Sequence, residues 1–375
     1  MATKKKDAYS KLKRIVLVLF VFTVAAVVGY VLVDQSIVAQ QEENMARANE
    51  ENQQLDAAYR QKVAQEIQQF NEETALVWPE PKGEEWEIVD LSNYPVQNAN
   101  MRYVEQDELI TNGLMLLNHW HSLPNNFPES ALVSMISVDK TVPVKNSSVK
   151  LFPNAAAALS RMLAAAKDEG LENFLIEEAY RTRETQQKLY DEKAAKYVNS
   201  LYGDPLIAKV RQEVNVPGTS EYQSGLSFRV DRWLNGDAEF NDPKFQTTEH
   251  SDWLVENSWK YGFVFRFPVE GYPNATMQDK SHKTGESKKL SLYRYVGVEH
   301  AEIMHEMNFC MEEYIEFLMQ NPHFAVYKNG QKVYEITWQP LDNLYSGVQI
   351  ETDMTAIESI VSMDNVGGVV TCMVF

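Results

Sequence analysis

Residues 217–231 read Pro217-Gly218-Thr219-Ser220-Glu221-Tyr222-Gln223-Ser224-Gly225-Leu226-Ser227-Phe228-Arg229-Val230-Asp231. Pro217-Gly218 is a turn signal. From Leu226 to Val230 apolar and polar residues alternate, which predicts a strand with two unlike faces. Asp231 lies two residues past Arg229 and falls on the same face. Further strands are expected at Asn173–Ile176, at the FVFRF run that begins with Phe263, and at Tyr293–Val296. Helices are expected over Asn154–Glu169, ending at Gly170, over Arg183–Ser200, over Ser251–Tyr261 with Gly262 as its cap, and over Glu299–Gln320. Helices and short strands without regular β-α-β alternation predict an α+β domain.

Downstream, the chain reads as all-β. Lys328-Asn329-Gly330-Gln331 separates two alternating runs, and Asn-Gly in that setting is a strong hairpin signal. Val366–Phe375 is expected to be a closing strand.

Upstream, IVLVLFVFTVAAVVGYVLV at 15–33 carries no charge and is long enough to span the hydrocarbon core as a helix. Lys4, Lys5, Lys6, Lys11, Lys13 and Arg14 precede it, and Asp34, Glu42 and Glu43 follow. This bias places the N-terminus in the cytoplasm and the rest outside. A cleaved signal peptide would have a shorter apolar core and a small-x-small cleavage site, which DQSIVAQQ does not offer. Beyond the span, Leu55, Tyr59, Val63, Ile67 and Phe70 recur at helical spacing. They predict a stalk, read either as a spacer or as a coiled coil with itself or another membrane protein. Trp78-Pro79-Glu80-Pro81 breaks it, and an extended connector with one short strand, WEIVDL, follows.

The 375 residues are 44% hydrophobic, enough for a sizeable core, and the formal net charge of -18 repels nucleic-acid phosphates. Cys310 and Cys372 give no disulfide framework and no cysteine metal site. They are expected to be small buried apolar residues.

Five pieces in order over 114–317 resemble the VanY-like D-alanyl-D-alanine carboxypeptidases, zinc peptidases of the LAS type. They are Leu116-Leu117-Asn118-His119-Trp120 with Leu123-Pro124; Glu178-Ala179-Tyr180-Arg181-Thr182 with Gln186-Gln187-Lys188-Leu189-Tyr190; Pro217–Glu221 with Gly225-Leu226; Trp253-Leu254 with Glu256-Asn257 and Tyr261-Gly262-Phe263 through Pro268; and Tyr293–Ala301. The resemblance implies a LAS-type zinc D,D-peptidase-like domain with a small β extension. The organisation then reads as a basic cytoplasmic segment (1–14), a transmembrane helix (15–33), a helical stalk (34–77), a linker (78–110), the peptidase-like domain (111–321) and a β-rich C-terminal extension (322–375).

The same resemblance implies a zinc held by His, Asp and His, with a Glu as general base. At those positions this chain has Tyr222, Arg229, Leu292 and Lys289 respectively. Leucine has no lone pair, and a guanidinium stays cationic and cannot ligate. The expectation is therefore no zinc, no other cofactor and no catalytic residue, with Tyr222 filling the vacated volume and Arg229 paired to Asp231 or Glu221. Arg181 falls at the position that grips a terminal carboxylate in the family, and Gln187 and Ser220 at or near substrate contacts. The alternative for Arg181 is an ion pair with Glu177 or Glu178. His282 with Glu286 could rebuild a metal site, whereas His119, His121, His300 and His305 lie away from the cleft. The leading expectation is a single-pass bacterial membrane protein with an extracytoplasmic, non-catalytic domain that binds peptidoglycan stem peptide or an envelope protein. The alternatives are an active D,D-carboxypeptidase with an atypical site, and a scaffold subunit of a membrane complex.

Overall fold

The computed structural model describes residues 47, 79, 81–83, 85–233, 244–341 and 347–375. The expected membrane span at 15–33 and, apart from Arg47, the expected stalk at 34–77 lie outside the described residues. Among the described residues no helix is long and apolar enough to cross a membrane.

In chain order the strands are β1 (Trp86–Asp90), β2 (Ala99–Val104), β3 (Val133–Ser134), β4 (Lys150–Leu151), β5 (Phe174–Glu178), β6 (Ser227–Arg232), β7 (Phe263–Phe265), β8 (Leu292–Tyr295), β9 (His323–Lys328), β10 (Gln331–Pro340), β11 (Val348–Asp353), β12 (Glu358–Met363) and β13 (Gly368–Val374). The helices are α1 (Gln106–Thr111), α2 (Met135–Val138), α3 (Pro153–Asp168), α4 (Arg183–Ala194), α5 (Asp204–Arg211), α6 (Glu249–Asn257), α7 (Ser281–Thr284), α8 (Val298–Glu306) and α9 (Met311–Gln320). Two antiparallel sheets dominate, one ordered β5-β6-β8-β7 and one ordered β1-β9-β10-β13-β12.

Helix α3 buries Ala155, Ala158, Leu159, Met162 and Ala166, which recur at three- and four-residue spacing. That stripe shares a core with Phe228 and Val230 of β6, Phe263 of β7 and Tyr293 of β8. The period-two alternation of β6 then turns Arg229 and Asp231 to the opposite face. The second core joins Leu114, Leu116 and Val296 to α8, α9 and the five-stranded sheet. The 78–110 segment, expected as a linker, supplies two strands to the β-rich part: β1 pairs with β9 and β2 with β11. Asn329 and Gly330 both have positive φ, as a tight two-residue hairpin turn requires. Cys310 and Cys372 are free and buried.

Two expected helices are shorter than their propensity suggests. The helix from Arg183 ends at Ala194, where Lys196 and Tyr197 bond back to Lys193 and Ala194 and tighten the chain into turns. The helix expected over 299–320 is two helices. Asn308 is left-handed at φ 51°, and Phe309 N–H bonds back to the Met304 carbonyl, which closes α8. Glu313 then accepts from Cys310 N–H at 2.9 Å and starts α9.

Candidate functional site

The polar face of the β5-β6-β8-β7 sheet borders a cleft of about 440 Å³, lined in part by Glu177, Glu178, Arg181, Lys145, Lys150 and Arg229. Three of the four positions singled out for chemistry converge beside it. Arg229 on β6 and Leu292 on β8 are direct cross-strand partners. Tyr222 sits in a short 3-10 turn over Glu221–Gln223. Gly225 permits that turn: its φ is +68°, and a Cβ there would lie 2.7 Å from Leu132 and 2.9 Å from Phe152.

Arg229 pairs with Glu177, which is almost wholly buried, and hydrogen-bonds the Tyr222 hydroxyl. Burial pushes the Glu177 carboxyl up, and Arg229 offsets only part of that shift. Burial likewise pushes the Tyr222 phenol up to about 12, so it stays protonated. Burial works against the Arg229 charge, but Tyr222 and Glu177 hold its pKa above the ordinary guanidinium value. The expectation that Arg229 pairs with Asp231 or Glu221 is corrected to Glu177. A register shift in β5 between Ile176 and Glu178 brings Glu177 to Arg229. Leu292 is fully buried, and Lys289 is exposed with its ammonium 5.7 Å from the Tyr272 ring.

Arg181 lies at the edge of this group. Its Nε and Nη2 each lie 2.7 Å from Glu178 Oε1, and its Nη1 donates to Gln186 Oε1 at 2.7 Å. Its guanidinium stacks 4.4 Å above the Tyr222 ring, and its backbone N–H donates to the Tyr222 carbonyl. The ion pair weighed as the alternative for Arg181 is thus formed, with Glu178. Gln187 is not brought to the site: it is exposed and donates to Asp191, while Gln186, one position earlier, is buried and held by the Asn215 carbonyl. Ser220 is buried at the start of the Tyr222 turn.

His282 is exposed and Glu286 is bound by Lys288 at 3.1 Å. Among the described residues no three His, Cys, Asp or Glu side chains are placed to hold a metal ion. A phenol, a guanidinium and an isobutyl group at the three expected ligand positions do not make a zinc donor set.

A second cluster escaped the sequence reading. Glu221, Arg266, Arg294 and Glu312 are all buried. Glu221 accepts from Arg266 Nε at 2.9 Å, from Ser227 Oγ at 2.6 Å and from Arg294 Nη1. Arg266 also binds Glu312 at 2.8 Å, and Arg294 donates to the Gly113 and Met115 carbonyls. Burial alone would raise Glu221, but Arg294 and Arg266 outweigh it and hold its carboxyl below the usual range. The signal was present: Arg266 stands between Phe265 and Phe267, and Arg294 between Tyr293 and Tyr295. A lone charge in an apolar run needs a buried partner.

Residues 148–283 match the VanY family model, described as D-alanyl-D-alanine carboxypeptidase. A D-alanyl-D-alanine carboxypeptidase of Enterococcus faecalis is 30% identical over 60% of this chain and 74% of its own. The bifunctional D-Ala-D-Ala dipeptidase and D-Ala-D-Ala carboxypeptidase VanXYC of Enterococcus gallinarum is 30% identical over 56% of this chain and 96% of its own. The crystal structure of the vancomycin resistance D,D-dipeptidase VanXYg superposes with a TM-score of 0.57 at 22% identity, over 74% of this chain and 99% of that one, a likeness of fold.

Proposed function

Because the chain belongs to the D-alanyl-D-alanine carboxypeptidase family, we propose that it is a member that holds a peptidoglycan stem peptide at the outer face of a bacterial membrane without hydrolysing it. The observation that carries this reading is the Arg229–Glu177 ion pair set opposite Leu292. Zinc peptidase chemistry needs three protein donors and an open metal position. Here a fixed cation stands at one of those positions and an aliphatic side chain at another. A guanidinium a few ångströms from a divalent cation would cost several kcal/mol even at a moderate effective dielectric, about 4 kcal/mol per unit charge pair at 4 Å. No hydrolytic step is assigned to these residues.

What remains suits binding. Arg181 is braced by Gln186 and stacked on Tyr222, so its planar fork is pre-oriented for a carboxylate. Lys145 and Lys150 line the same cleft and add positive potential around an anionic peptide terminus. Anchoring through 15–33, with the domain outside, follows from the basic residues before that apolar run. The 34–77 stalk is a candidate for self-association.

One observation favours a second reading. Arg181 already carries Glu178, which suits a scaffold subunit that contacts another envelope protein and leaves the cleft unused. Capture on immobilised D-Ala-D-Ala-terminated muropeptides separates the two. Retention of the full chain with no release of D-alanine supports peptide holding, and failure to be retained leaves the scaffold reading in front.

A further inference from the structure

Glu178 occupies the arginine fork that a ligand carboxylate would need. One oxygen, Oε1, lies 2.7 Å from both Nε and Nη2 of Arg181. The third nitrogen of the guanidinium, Nη1, is taken by Gln186, which is itself held by the Asn215 carbonyl. The ring of Tyr222 covers one face of the guanidinium. The two partners differ in how firmly they are placed. Gln186 is buried at 1% exposure, whereas the Glu178 side chain is 33% exposed. Glu178 therefore has water on one side, and it also lines the cleft beside Arg181.

The backbone fixes which acid plays which part. Glu178 is the ladder partner of Arg229, and the register shift before it sends the adjacent Glu177 into the buried pair with Arg229. Glu177 is thus committed to the interior, and Glu178 is the acid left to face Arg181 and the solvent. The pair is part-buried, with Glu178 its more open member, so a second carboxylate of similar geometry can approach from the solvent side and exchange with it. Arg181 itself, held by Gln186 and Tyr222, need not move for the exchange.

We propose that Glu178 is a resident carboxylate on Arg181, an internal plug that a ligand's terminal carboxylate must displace and that sets the affinity and acid selectivity of the cleft. This rests on the stem-peptide reading above and adds a determinant to it. With the plug in place, a peptide acid gains little over the corresponding amide, because its carboxylate only replaces one already bound. With the plug neutralised, the acid acquires a charge-assisted fork of its own, and the amide does not.

The test is calorimetric titration of the detergent-solubilised full chain with a stem pentapeptide ending in D-Ala-D-Ala, as the free acid and as the C-terminal amide. Wild type, Glu178→Gln, Glu178→Ala and Arg181→Ala are compared, each with its thermal midpoint recorded. The expected result is an acid-to-amide preference near one in wild type, rising about tenfold in both Glu178 variants and absent in Arg181→Ala. Binding of both peptides with the same preference in wild type and both Glu178 variants would overturn the plug and leave peptide holding intact. No binding of either peptide by any folded form would overturn peptide holding, and the plug with it.

Discussion

Arg229 and Leu292 face each other across the β6–β8 ladder, a guanidinium beside an isobutyl group in the middle of the cleft's sheet. The charge of Arg229 is balanced by Glu177, which reaches it from the neighbouring strand β5. Removing the cation leaves the buried carboxylate facing only the more distant charge of Lys145, whose Nζ lies 4.0 Å from Glu177 Oε1. Arg229→Met is therefore expected to destabilise the fold by about 2–3 kcal/mol near neutral pH, below the 3–5 kcal/mol of a fully buried pair because Arg229 is partly exposed. Glu177 already has a raised pKa, and without Arg229 it rises further. A group raised in the folded state favours folding at low pH and loses that contribution as pH increases. The defect of Arg229→Met should thus shrink on acidification toward pH 4 and be largely removed by adding Glu177→Gln, as measured by urea unfolding.

The buried Glu221 holds two arginines at once, so its removal should be more damaging than the loss of any surface pair. Glu221→Gln is expected to cost about 3–5 kcal/mol, since Arg266 and Arg294 would keep their charges with one fewer carboxylate to share. The same measurement on Lys283→Ala, which breaks an exposed pair with Glu316, should move stability by no more than about 1 kcal/mol.

His300 is fully buried against the Tyr314 hydroxyl at 2.7 Å, and burial pushes its pKa down to about 3. The unfolded chain takes up this proton near pH 6.5, and the folded chain does not until about pH 3. Stability is therefore complete above pH 6.5 and falls as pH drops through that window, at about 1.4 kcal/mol per pH unit. Between pH 6.5 and 4.5 wild type should lose about 2 kcal/mol more than His300→Gln, read from urea unfolding curves at the two pH values.

The sequence carried the framework of the fold because its strongest local signals agree with the packing. The Ala- and Leu-rich run at 154–169, the Asn-Gly turn and the alternation at 226–230 each became the element they predict. The positions of Tyr222, Arg229 and Leu292 were legible because intact flanking motifs fixed their place, but the cross-strand pairing of the last two was not, since the expected strand began at Tyr293 and β8 begins at Leu292. Their partners were not legible. Glu177 reaches Arg229 only through a register shift in β5, and adjacent Glu178 goes to Arg181. One-residue offsets of this kind leave no periodic trace. In the same way, Gln186 and not Gln187 faces Arg181, because the phase of α4 is set by its Thr182 cap. The division of 299–320 turned on a single left-handed Asn308 inside a run of good helix formers.

The anchored topology is tested by protease shaving of intact cells. The reading expects the 75–375 unit to be released to the medium while the basic segment 1–14 stays protected. Full protection of the large unit would reverse the orientation.

The central claim, that the cleft holds peptide without metal chemistry, is tested most directly by zinc stoichiometry. The purified full chain is dialysed against trace zinc and analysed for the metal, beside a variant carrying Tyr222→His, Arg229→Asp, Lys289→Glu and Leu292→His. The account predicts far less than one zinc per wild-type chain, with uptake regained in the variant because three donors then face an open position. One tightly bound zinc per wild-type chain would contradict it.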